Sequence, residues 1–279
     1  MSRVVVQRKV ANAIMVSLAT GAAVVALAFL GWILATLLSQ GIRGLNWAWF
    51  TKLPKPPGES GAGMANALVG TGMVVAIAIA MGVPVGLLAG IYLAEFGKTR
   101  RLARGVRFVA DVLLGAPSIV VGVFIYGLMV RPLGHFSGIA GATALAVLML
   151  PIVTRTTDEM MRLVPVSLRE AALALGAPIW KVVLRVSLRA ALPGIMTGII
   201  LAIARVGGET APLLFTALNS PYWTMNPLEP TATLNATMFN YAMSPYADWR
   251  QMAWSAALVI TMGVVLLTIV ARLARQKGH

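Results

Sequence analysis

The sequence predicts an all-α integral membrane protein with six transmembrane helices, and three observations carry that prediction. Of the 279 residues, 58% are hydrophobic and only 11% charged, at a mean hydropathy of +0.83. A soluble domain carries charge on about a quarter of its residues. Six stretches are apolar for long enough to cross about 30 Å of hydrocarbon, which takes about 20 helical residues each. Their apolar runs are continuous, without the two-residue alternation of barrel strands. There are no cysteines, which excludes disulfides and thiolate metal sites.

The spans fall at 12–38, 66–94, 106–130, 138–154, 190–218 and 252–271. Arg3, Arg8 and Lys9 precede the first, like a signal peptide, but the run through Ile14, Leu27, Phe29 and Leu37 outlasts the 7 to 15 residues or so of a signal core. Ser39-Gln40-Gly41 is also a poor cleavage site, so the run reads as a membrane anchor. Pro54, Pro56 and Pro57 make Ile42 to Ala65 an irregular linker, dividing an anchor-plus-linker unit, 1–60, from a five-span unit, 61–279. The fourth span is short and runs into Thr154 and Arg155, while the fifth carries internal Gly and Pro and is expected to be bent or broken. Between the last two spans, Asn219 to Arg250 mixes prolines with Tyr222, Trp223, Tyr241, Tyr246 and Trp249. This set fits either an interfacial aromatic belt or part of a docking surface for an external partner.

Charge settles orientation. The 23 Lys and Arg against 9 Asp and Glu give +14, which on a soluble protein would suggest nucleic acid. Seventeen of the basic residues fall on one side of the spans: Arg3, Arg8 and Lys9; Lys98 to Arg107; Arg155 to Arg189; and Arg272 to Lys277. Only Arg43, Lys52, Lys55, Arg131 and Arg250 fall on the other. The surplus is a topology signal that puts both termini in the cytoplasm, not a nucleic-acid surface. Asp111, near the cytoplasmic end of the third span, is expected to pair with Arg104 or Arg107.

The long loop 155–189 contains Ser167-Leu168-Arg169-Glu170, which has capping-box spacing, followed by an Ala- and Leu-rich turn that Gly176 and Pro178 stop. Two turns of helix are not stable alone in water, so this face must rest on the protein's own bundle or on a partner.

Arg205 is left alone inside a span, roughly 20 Å along the helix from Leu192, with Glu209 four residues on. A charge there costs at least about 2.5 kcal/mol, so both should face protein or water. As an i, i+4 pair they can neutralise each other and hold helices together. No Gly-x-x-x-x-Gly-Lys-Ser/Thr loop is present to cradle ATP, and His135 and His279 lack partners at metal-ligand spacing.

Glu170-Ala171-Ala172, Gly176, Val186 and Leu188 resemble the EAA loop of ABC importer permeases, with Arg189 where the motif has Pro. Gly207-Gly208-Glu209-Thr210-Ala211-Pro212-Leu213-Leu214-Phe215-Thr216 resembles the signature of phosphate importer permeases, as do Asp111 to Gly122 and Tyr92-Leu93-Ala94-Glu95. The resemblance implies a type I ABC importer permease fold over 61–279, with 155–189 as the coupling loop and Glu170, Ala171, Ala172 and Gly176 meeting the ATPase. It implies a PstC-like permease partner, an ATP-binding subunit pair, an external phosphate-binding protein and a place in the bacterial inner membrane. ATP and Mg would sit on the ATPase, with no cofactor on this chain, which would not be catalytic alone. The residues themselves suggest a substrate route, a reading the resemblance strengthens: Arg205 as a forked donor to phosphate oxygens, Glu209 as a check on how tightly the anion is held, and Thr210 as an added hydroxyl. Alternatives are a permease for sulfate or molybdate, which the 208–218 signature disfavours, and an ion-coupled carrier that uses Arg205 and Glu209 as its own relay.

Overall fold

The computed structural model describes residues 3–97 and 100–276; Lys98, Lys277 and His279 lie outside the described residues. Its elements are α1 (Arg3–Arg43), α2 (Trp47–Thr51), α3 (Ala65–Glu95), α4 (Arg101–Gly115), α5 (Ser118–Leu133), α6 (Gly138–Arg162), α7 (Val166–Ala174), α8 (Ile179–Gly207), α9 (Ala211–Thr216), α10 (Leu234–Ala242) and α11 (Ala247–Gln276). Helices α1, α3, α6, α8 and α11 are each long and apolar enough to cross a membrane. Helices α4 and α5 meet at 107°, and only taken together as one broken span do they add a sixth.

That bend corrects the reading of 106–130 as one span. Ala116 is extended at ψ 136 because a residue before proline is pushed out of the helical region, and Pro117 at ψ 131 starts α5 afresh. The break expected in the fifth span is present at Gly208 to Thr210, between α8 and α9. Both α5 and α8 also contain a π-helical turn, at Tyr126–Val130 and Val182–Ser187.

Helix α6 is the most buried of the spans and sits between α3 and α8. Gly82, Gly86 and Gly90 lie one turn apart on α3 and let its backbone close on α6. A methyl on Gly86 would stand 2.9 Å from Val153 Cβ, and one on Gly90 would stand 2.7 Å from the Thr154 carbonyl oxygen. From the other side, Gly198 and Gly194 of α8 abut Thr156 and Met160. Small residues serve this purpose in lipid, where tight packing rather than water exclusion drives helix association. Helix α1 has no buried residue within its span window and touches the rest near its end, where Gln251 Nε2 donates to the Gln40 carbonyl (2.6 Å) and Ser255 Oγ to that of Gly41 (2.9 Å).

The segment 219–246 lies over the end of the bundle opposite α7. Its Pro227 and Glu229 carbonyls accept from the Ile139 and Gly138 amides (2.7 and 3.0 Å), filling places that a helix start leaves open. The Glu229 carboxylate accepts from Thr224 Oγ1 and Asn226 Nδ2 (2.6 and 3.1 Å), and these bonds hold its pKa below the ordinary range. The five aromatic residues differ in burial: Tyr241 is buried and stacks on Trp249 at 4.5 Å, Tyr246 meets the same Trp249 ring edge-on at 5.7 Å, and Tyr222, Trp223 and Tyr246 are exposed.

Two alanine substitutions on α3 separate packing from propensity. Gly90→Ala should lower stability by about 1 to 3 kcal/mol through overpacking. Gly72→Ala, whose methyl meets nothing within 4 Å, should be neutral or raise stability by up to about 1 kcal/mol. Thermal unfolding of the purified variants in detergent measures both.

Candidate functional site

Two places in the fold concentrate the residues singled out by sequence. The first is where the two helix breaks meet. Helix α8 ends at Gly207, Gly208 N–H closes back on the Arg205 carbonyl (3.2 Å), and α9 starts as Leu213 and Leu214 donate to the Thr210 carbonyl (3.1 and 3.3 Å). Gly208 is exposed, and a side chain there would meet only backbone at 3.6 Å or beyond. Across from this break stands the Ala116–Pro117 break, and the wall between them is α6. Together they enclose a cavity of about 110 Å³ lined by Leu113, Leu114, Ala116, Ser118, Leu148, Ile152, Arg205, Val206 and Glu209. At about 30 Å³ per water, that is room for a few waters or one small ion.

Arg205 and Glu209 therefore share one cavity, but not one helical face. Because the helix stops at Gly207, Glu209 leaves the i, i+4 register, and among the described residues the two form no ion pair with each other. Thr210 does not line the cavity; it opens α9 with its carbonyl. Ser118 was missed by sequence reasoning. It is the first residue of α5, so a helix N-terminus, with its unpaired amides and positive dipole end, borders the same space as Arg205. The signal was legible in Gly115-Ala116-Pro117-Ser118, a stop followed by a start, but the apolar run on either side hid it.

The end of the α8–α9 break is also held from outside. Asn235, on α10 and 1% exposed, donates both amide hydrogens to carbonyls of this segment, Gly207 at 3.1 Å and Glu209 at 3.0 Å. Nothing in the sequence distinguishes Asn235 from other loop amides.

The second place is α7. The capping box does not form: the helix begins at Val166 behind Pro165, which puts Ser167 inside it with no side-chain cap bond. The C-terminus is as expected, since Gly176 sits at φ +80 and Ala177 and Gly176 donate to the Ala172 and Leu173 carbonyls (3.1 and 2.9 Å). None of the residues of α7 is buried in this chain. Leu168, Leu173, Leu175, Ile179 and Trp180 are exposed, Leu175 at 89%. Glu170, Ala171 and Gly176 are exposed beside them, and Ala172 is half-buried.

One polar tie fixes α7 to the bundle. Arg169 Nη2 donates to the Met161 carbonyl at 2.7 Å and pairs with Glu95 Oε1 at 3.0 Å, and Nη1 donates to Glu95 Oε2 at 3.3 Å. This joins α7 to the ends of α3 and α6. Alongside, Asp158 accepts from Arg107 Nε (3.0 Å) and Arg162 Nε (2.7 Å). Arg155 bonds Asp111 (3.0 Å) and Glu159 (2.9 Å). Asp111 thus pairs across to α6 rather than with Arg104 or Arg107 of its own helix: Arg107 is turned toward Asp158 and the Leu93 carbonyl (2.7 Å).

Residues 82–277 match the family described as binding-protein-dependent transport system inner membrane component. The chain is 48% identical to the phosphate transport system permease protein PstA of Yersinia pestis, over 97% of this chain and 92% of that one. It is 50% identical to PstA of Xylella fastidiosa, over 95% and 93%, and 36% identical to PstA 1 of Mycobacterium tuberculosis, over 96% and 90%. Among solved structures, the inward-facing MetNI methionine ABC transporter superposes with a TM-score of 0.60 at 20% identity, over 77% of this chain and 93% of that one, a likeness of fold.

Replacing Arg169 by Leu leaves the Glu95 carboxylate without its partner in a site where both side chains are less than a fifth exposed. The expected loss is about 3 kcal/mol, read as a lower unfolding midpoint and faster proteolysis between α6 and α8. Arg169→Lys should recover only part of it, because an ammonium cannot span a carboxylate and a carbonyl as the guanidinium fork does.

Proposed function

We propose that this chain, which belongs to the binding-protein-dependent transport system inner membrane component family, is the permease subunit of an ATP-driven phosphate importer. The substrate reading is carried by the cavity at the two breaks, where Arg205, Glu209 and the start of α5 border one space. Arg205 supplies a forked donor for oxyanion oxygens, and the α5 N-terminus with Ser118 adds amide and hydroxyl donors. Glu209 makes the site selective. Phosphate at neutral pH still carries a proton that a carboxylate can accept, whereas sulfate has none and meets only repulsion. Arg205 is exposed in this chain alone, which suits a route whose opposite wall comes from a second, PstC-like permease subunit.

The basic loops cluster at the α7 end, which orients that end to the cytoplasm. There the exposed leucines and Trp180 form a surface for one of a pair of ATP-binding subunits, with Glu170 and Ala171 at its centre. Arg169 and Glu95 carry its movement to α3 and α6. Phosphate arrives at the other end on an external phosphate-binding protein, and the ATP and Mg chemistry stays on the partner subunits.

ATP-dependent uptake of radiolabelled phosphate by the reconstituted complex tests the reading. Arg205→Gln should lower uptake about 10- to 100-fold, the worth of a hydrogen bond to a charged group. Glu209→Gln should let sulfate compete. Unchanged uptake and unchanged selectivity in these two variants would remove the substrate route from this cavity, and uptake driven by a proton gradient without ATP would replace the importer with a carrier. Leu173→Asp with Leu175→Asp should abolish ATP-driven uptake and co-purification of the ATP-binding subunits while leaving the fold of the permease intact.

A further inference from the structure

The α8–α9 break leaves the Gly207 and Glu209 carbonyls without helical partners, and the only side-chain donor the described structure gives them is Asn235. Its Nδ2 reaches both, at 3.1 and 3.0 Å, from a position 1% exposed. The orientation of the amide is fixed: turned over, its oxygen would face two carbonyl oxygens. In the observed orientation Oδ1 is buried with no hydrogen-bond partner, a cost the site accepts in order to keep both donors on the break. Helix α10 cannot easily yield. Thr233 caps its start, the Leu234 amide donates to Thr71 Oγ1 of α3 (2.8 Å), and Thr237 Oγ1 donates to Asn219 Oδ1 (3.1 Å).

From this geometry we infer that Asn235 is the positioning residue of the anion site: it fixes the backbone at Gly207 and Glu209 and so holds the Glu209 carboxylate apart from Arg205. The inference rests on the reading of the Arg205 and Glu209 cavity as the phosphate route. Asn235 itself lies outside that cavity's lining and acts through the backbone it holds. With the donors removed, Glu209 is free to swing toward Arg205 and close the pair, which occupies the fork that would take phosphate. A second consequence concerns the partner outside. The segment that carries Asn235 also carries the exposed Tyr222, Trp223 and Tyr246, so a partner bound there bears on the break through Asn235 as well as through the Thr231 amide, which donates to the Ala217 carbonyl (3.1 Å).

The test uses the assembled importer with Asn235→Asp and Asn235→Ala, and two reporter cysteines in a chain that has none of its own: Gly208→Cys on the break and Ser60→Cys in the linker. Both Asn235 variants should cut the maximal phosphate uptake rate about 10- to 100-fold, the effect expected of a misplaced binding group. They should co-purify with their partners as wild type does and keep its dependence on binding-protein concentration. Maleimide labelling at Gly208→Cys should become several-fold faster in both, with labelling at Ser60→Cys unchanged. Wild-type uptake in Asn235→Asp, or unchanged labelling at Gly208→Cys, overturns the inference, as does equal acceleration at both cysteines, which would mark general loosening. Arg205→Gln separates the two ideas. Full uptake in Arg205→Gln removes the phosphate reading even if Asn235 controls the break; lost uptake in Arg205→Gln beside normal uptake in Asn235→Asp removes the positioning role alone.

Discussion

The approach of α3 to α6 through Gly82, Gly86 and Gly90 is the contact on which the other arrangements depend. In lipid there is no water to squeeze out from between helices, so association rests on dispersion between closely matched surfaces. A side chain on any of the three glycines would meet α6 backbone or a Cβ and push the helices apart. With Gly194 and Gly198 of α8 closing from the other side, α6 is fixed along most of its length. Two things follow. Its Leu148 and Ile152 become the fixed wall of the cavity, and its polar end becomes a fixed anchor for Arg107 of α4 and, through the Met161 carbonyl, Arg169 of α7.

Against this rigid centre the two broken helices are the exception that a membrane interior permits only where protein or a water-filled space covers the loose backbone. Gly208 to Thr210 is covered in part by Asn235, and Ala116 to Pro117 faces it across the cavity. The left-handed residue that follows α9 adds to the irregularity: Leu218, at φ 59, occupies a region that favours glycine, and its amide closes on the Leu213 carbonyl (3.2 Å). The 207–218 signature thus holds a helix break and a left-handed residue within a dozen positions, beside the corner at Pro117 and the π-helical turns of α5 and α8.

The spans were legible because continuous apolar runs leave few alternatives, and the second break was legible because Gly207, Gly208 and Pro212 fall inside one run. The first break, at Pro117, was written just as plainly but was overridden by the hydropathy of Val112 to Val130, a window too coarse to register a corner. Local rules failed where a stronger local rule stood one residue away. Pro165 starts α7 on its own, so the Ser167 and Glu170 spacing has no box to form. Long-range partners were out of reach for a different reason. Asp111 meets Arg155 from 44 residues away, and Asn235 meets Gly207 from 28, and neither separation leaves a pattern that a periodicity can show.

Two arginine–glutamate combinations make the design of the cavity intelligible. Arg169 and Glu95 come from different helices, are largely buried and close into a hydrogen-bonded pair, which is the outcome expected when both charges are withdrawn from water. Arg205 and Glu209 are nearer in sequence and would close in the same way on an unbroken helix, where residues four apart are neighbours. They do not, because the helix ends between them and Glu209 is carried by backbone that Asn235 holds. A stable pair needs each charge to satisfy the other, whereas a transient anion needs a donor fork left open, and the two requirements exclude each other at one site. On the proposed reading of this cavity as the phosphate route, the Gly207-Gly208 interruption is the sequence feature that selects the second.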